Sequence, residues 1–221
     1  MTPSLRRIHA LLAVQSLLLV LASVNRLWDA TNVAVLPHQA LRLVDVLNLL
    51  VLAPASVLVF HLLLEHLSPS RTLRVAFVAA VYLFAASYGM HEAADYLNAR
   101  FCPGDTALCG IVGYQDDELS HLLFFAGFAG IAATLLAAQA ASPAVTTTRD
   151  RILVLANAAL VAVAIVANLG FEAIGLDLYV VAAVALLALV LWLRRGPRPL
   201  ILYYASSYTA GLLITAAIVA T

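Results

Sequence analysis

Apolar runs separated by short polar or turn-forming stretches repeat along the whole chain. A bilayer span needs about 20 mostly apolar residues. Stretches at about 8–24, 43–66, 74–98, 118–141, 152–174, 178–194 and 199–220 meet that demand. The pattern predicts an all-α polytopic membrane protein, a seven-transmembrane-helix bundle. No extramembrane stretch is long enough for a second domain, so 1–221 reads as a single seven-helix transmembrane domain. The first segment, with Arg6 and Arg7 ahead of an apolar core, resembles a signal peptide; no A-x-A site follows it, and a retained helix is expected. Pro54 should kink the second segment. The run Ala126–Gly130 should let helix backbones approach closely.

Composition sharpens the picture. The chain is 64% hydrophobic and 11% charged, whereas soluble domains carry about 25% charged residues. It cannot clothe a water-soluble globule. With a formal net charge of +0 and no basic patch outside the membrane flanks, nucleic acid is excluded as a partner. Membrane lipid, a lipid-like substrate and partner membrane subunits are the expected contacts.

Arginine placement sets the orientation, since basic residues favour the cytoplasmic side. Every basic residue is Arg, and nine of the 12 (Arg6, Arg7, Arg71, Arg74, Arg149, Arg151, Arg194, Arg195, Arg198) fall on one side of the spans. The N-terminus is therefore expected in the cytoplasm and the C-terminus outside, in a multi-pass protein of the cell inner (plasma) membrane. The longest connection, about 99–117, then faces outward with Cys102 and Cys109. An oxidising compartment favours a disulfide between them. A zinc pair is the rival reading, though the loop lacks CxxC spacing.

The polar residues inside the spans are few and cluster at one depth. Residues four apart share a helix face. That spacing joins Ser87, His91 and Asp95 on segment three, Asp117 and His121 on segment four, and Asn168 and Glu172 on segment five. At 1.5 Å per residue, His91 lies roughly 25 Å and Glu172 roughly 30 Å above the inner helix ends. Asp45 and Asn48 reach the same level. Ionisable groups at such positions are costly and mark functional sites. His91, Asp95, Glu118, His121 and Glu172 form a candidate ligand set for a divalent metal, zinc or iron, with Glu118, Glu172 and Ser87 as candidate catalytic groups. Glu118-x-x-His121 has the spacing used by dimetal carboxylate bundles, but only one copy is present. A metal-free polar cavity and plain structural pairing are the other readings, the latter because Asp117 and Glu118 at a helix start suit its dipole.

A second cluster, His61, Glu65 and His66 with Tyr203, Tyr204, Ser207 and Tyr208, falls at the opposite end, where tyrosines are read as interfacial belt residues. Ser87-x-x-x-His91 and Asp117-Glu118-Leu119 on seven helices resemble the alkaline ceramidase and adiponectin-receptor superfamily of intramembrane zinc hydrolases. That pattern also requires His-x-x-x-His on the last helix. Segment seven has no histidine, so the resemblance does not carry the zinc site over. The absence of Lys excludes a retinal Schiff base, whereas His91 and His121 could ligate a single haem b. The leading expectation is a metal-dependent membrane enzyme acting on a lipid-like or amphipathic substrate by hydrolysis or oxygen chemistry. The rivals are a non-catalytic subunit of a larger respiratory or oxygenase complex and, third, a transporter or channel.

Overall fold

A computed structural model of the chain describes residues 3–25, 27–104, 106–139, 147–172 and 175–219. Seven long helices carry stretches long and apolar enough to cross a membrane: α1 Pro3–Asn25, α2 Leu43–His66, α3 Arg71–Phe101, α4 Ala107–Ala138, α5 Thr148–Glu172, α6 Leu176–Arg195 and α7 Pro199–Val219. Alternating helix direction collects the nine arginines at one end, the arginine end. Cys102 and Cys109, joined in a disulfide, lie at the other, the disulfide end. There a two-stranded antiparallel ribbon, β1 Ala34–Val35 with β2 Leu41–Arg42, joins α1 to α2.

The expected loop at about 99–117 is mostly helix. α3 continues to Phe101 and α4 already begins at Ala107. The Thr106 hydroxyl caps α4 by accepting from the Cys109 N–H at 3.2 Å, and the helix absorbs Tyr114–Leu119 as a π turn. A second π turn, Asn48–Leu52, lies just ahead of Pro54 in α2. Proline lacks an N–H and crowds the carbonyl four residues back. A widened turn at that point accommodates both defects.

α3 packs on α4, α5 on α7, α6 on α7, and α1 on both α5 and α2. The small-residue run does what its composition predicts. A Cβ built on Gly127 of α4 would lie 2.4 Å from the Phe84 amide nitrogen of α3. At Gly211 of α7 it would lie 2.6 Å from Ile165 of α5. Such side-chain-free contacts replace the hydrophobic drive that lipid cannot supply. Leu12, Phe60, Phe84, Ile131, Leu135 and Leu200 fill the centre.

The tyrosines of α7 are not belt residues. Tyr203, Tyr204 and Tyr208 are each buried, at 2–3% exposure, inside the bundle. Buried hydroxyls need partners, and that of Tyr203 lies 3.1 Å from the Ser16 hydroxyl on α1. The Gln15 amide donates to the Ser56 hydroxyl at 2.6 Å, tying α1 to α2. Of the other expected members of that cluster, Glu65 pairs with Arg74 at 3.0 Å and the His61 ring lies 6.2 Å from that of Phe77. They are helix-to-helix ties.

Candidate functional site

At the disulfide end, α1, α2, α3 and α4 turn polar side chains toward one another. The network starts at Asn25, whose amide donates to Asn48 Oδ1 at 3.2 Å. Asn48 Nδ2 donates to Glu92 Oε1 at 3.1 Å. Glu92 is buried at 5% exposure, and its carboxyl also reaches Asp45. Asp45 in turn caps the first turn of α2, accepting from the Arg42 backbone N–H at 2.8 Å. The Arg42 guanidinium donates to both Asp45 oxygens, Nε to Oδ2 at 3.0 Å and NH2 to Oδ1 at 2.9 Å, and also to Asp95 on α3. Its hydrogen bonds to Asp45, opposed by partial burial and reinforced by the Asp95 charge, raise its pKa above the ordinary value. A carboxylate at 1% exposure thus has its counter-ion, as buried charges require.

The second half of the site is a histidine pair. His91 Nδ1 lies 3.0 Å from Asp116 Oδ1, with the imidazole 37% exposed and the carboxylate 6%. Neither atom has a well-aligned hydrogen bond. The contact is therefore an electrostatic one across a short distance. Asn98 Nδ2 approaches the other Asp116 oxygen at 3.5 Å, and the Ser120 hydroxyl donates to the Asp116 carbonyl. The His121 ring stands edge-on to His91 with centroids 5.0 Å apart. Its Nδ1 lies 2.9 Å from the Asp117 carbonyl; a carbonyl only accepts, so this bond places the ring proton on Nδ1. Beside His121 opens a cleft of about 270 Å³ lined by Tyr114, Asp117, Glu118, Leu122 and Leu176 among others.

The candidate residues from the sequence therefore separate. His91 and His121 come together. Asp95 turns to Arg42 instead. Glu118 is exposed at the cleft. Ser87 is buried and its hydroxyl donates to the Phe84 carbonyl of its own helix at 2.7 Å, as helical serines commonly do. The side chains of Glu172 and Asn168 lie outside the described residues. Among the described residues no three His, Cys, Asp or Glu side chains gather in an arrangement that could hold a metal. The two imidazoles are one donor short of the three that a catalytic zinc centre uses.

Asp116, Glu92 and Arg42 are the site residues the spacing did not single out. A regular helix through 117 and 121 puts Asp117 on the face of His121. The structure instead turns Asp116 inward, on the face of the buried Ser120 four residues further on, within the π turn Tyr114–Leu119, while Asp117 stays exposed. The acidic run Asp116-Asp117-Glu118 was the visible signal; its inward member is the one four residues before the buried Ser120. Glu92 sits one position off the 87–91–95 stripe, on the side of α3 that meets Asn48.

Compared with protein-family models, curated proteins and solved structures, the chain finds no match.

Proposed function

We propose that the protein is a membrane enzyme that works by proton transfer at His91 on a lipid-like or amphipathic substrate, and that its disulfide end faces the outside of the inner (plasma) membrane. The observation that carries the reading is the partly exposed His91 imidazole with a buried Asp116 carboxylate 3.0 Å from its Nδ1. A carboxylate behind one ring nitrogen orients the imidazole and stabilises its cation when the other nitrogen takes a proton. In a hydrolysis, Nε2 takes the proton of an attacking water as its oxygen bonds to the substrate carbonyl or phosphoryl centre. The same proton is then handed to the leaving group. Exposed apolar side chains at this end, Leu97, Phe101 and Leu122, suit the tail of an amphiphile. A metal enters this reading only if Glu172 supplies a third donor, and no step depends on it.

The test is reconstitution into vesicles made from the lipids of the native membrane, with lipid products followed by mass spectrometry. The wild type should convert at least one lipid class, and His91→Ala should lose about 10²–10⁴-fold in rate, the usual contribution of an acid–base group. No conversion by the wild type, or full activity in His91→Ala, overturns the reading. The accessory-subunit reading has its own support in the exposed Leu108, Ile111 and Tyr114 at the start of α4. Under it a second polypeptide copurifies at fixed ratio from native membranes.

A further inference from the structure

We propose that the Cys102–Cys109 disulfide is a redox latch that sets Asp116 against His91. The bond joins the end of α3 to the start of α4, with Cα atoms 5.4 Å apart and a sequence separation of 7. Cys102 follows directly on α3, its N–H donating to the Asn98 carbonyl at 3.1 Å. Asn98 plays two parts. It lines, with both cysteines, a cavity of about 380 Å³ under the connection, and its amide approaches Asp116 at 3.5 Å. On the other arm, Cys109 leads within one short helical stretch into the π turn Tyr114–Leu119 that carries Asp116.

Apart from the disulfide, that stretch is held by shallow packing on α3 and by the Thr106 cap. None of the residues Ala107–Gly113 is buried, and Leu108, Ile111 and Tyr114 are all exposed. A segment that buries so little opens at low free energy, and the covalent link adds a tether to its shallow packing on α3. The π turn carries Asp116 on the buried face it shares with Ser120, while Asp117 and Glu118 stay exposed. Fixing the start of α4 holds that turn in place. Reduction by an external dithiol breaks the Sγ–Sγ bond, leaves a thiol on each cysteine and converts the dithiol to its cyclic disulfide. The start of α4 is then free to move, and Asp116 with it. The mechanical part of the latch stands independently; its effect on turnover rests on the proton-transfer reading.

The test uses the intact protein in lipid nanodiscs, oxidised and after full reduction by dithiothreitol, with thiol labelling to confirm the reduction. Amide hydrogen exchange over residues 107–119 should accelerate by about 10–100-fold, the range that closing so short a ring supplies. Modification of His91 by diethylpyrocarbonate, read by mass spectrometry, should rise severalfold and return on reoxidation. The double variant Cys102→Ser, Cys109→Ser should show the reduced pattern with or without dithiol. Unchanged exchange at 114–119 and unchanged His91 reactivity in the fully reduced protein overturn the latch. If both change while lipid conversion does not, the latch stands and the proton-transfer reading falls.

Discussion

Gly127 lies where α4 crosses α3, and its replacement by alanine measures how closely the two helices are fitted. A Cβ there would meet the Phe84 amide nitrogen at 2.4 Å, the Ala80 carbonyl at 2.8 Å and the Phe84 Cα at 2.8 Å. All three are backbone atoms, so no side chain can swing aside and α3 itself must move. Overpacking of this kind costs about 1–3 kcal/mol, here toward the upper end. Alanine returns up to about 1 kcal/mol through its better helix propensity. We expect Gly127→Ala to lose about 2 kcal/mol. Gly89→Ala on α3 is the matched control, because a Cβ there meets nothing within 4 Å; it should be neutral or gain up to about 1 kcal/mol. Unfolding in mixed micelles titrated with sodium dodecyl sulfate, followed by tryptophan fluorescence, reads both. Equal stabilities for the two variants would refute the close α3–α4 crossing.

Two further outcomes follow from the same geometry. Arg42→Ala removes the counter-ion of Asp45, whose side chain is 1% exposed, and the Asp95 contact as well; a stability loss of about 2–4 kcal/mol is expected in the same titration, below the full cost of breaking a buried pair because Arg42 is partly exposed. In a background lacking Cys102 and Cys109, a cysteine at Gly104 should react with an impermeant maleimide on intact cells while one at Arg71 should not, and the reverse pattern would invert the proposed orientation.

Seven spans were legible because each apolar run is long enough to cross a bilayer as a helix, which satisfies every backbone hydrogen bond within the segment. The Cys102–Cys109 pairing was legible from its short separation in a turn-rich stretch. The bounds of α4 were not. Its first turns, Ala107–Gly113, carry two glycines and are followed by the polar run Gln115–Glu118, so the stretch reads as a loop, whereas in the structure the Thr106 cap starts the helix at Ala107. The inward member of Asp116-Asp117-Glu118 lies four residues before the buried Ser120, and spacing counted only from His121 picked Asp117 and Glu118 and passed over it. Arg42 was hidden for a different reason. It lies on the β1–β2 ribbon, and its link to Asp95 spans a sequence separation of 53, which no local pattern encodes. The α7 tyrosines read as belt residues because composition cannot tell an interfacial ring from one turned inward to Ser16.

The central claim is that Asp116, through His91, makes this end of the bundle reactive, and the most direct measurement compares Asp116→Asn with Asp117→Asn in vesicles of native lipid. Both changes are isosteric and remove one carboxylate at adjacent positions, one buried and one exposed. Asp116→Asn should lower the rate of lipid conversion by about 10²-fold or more, in the range of an acid–base contribution, with Asp117→Asn near wild type. Equal rates in the two variants, or the larger loss in Asp117→Asn, would contradict it.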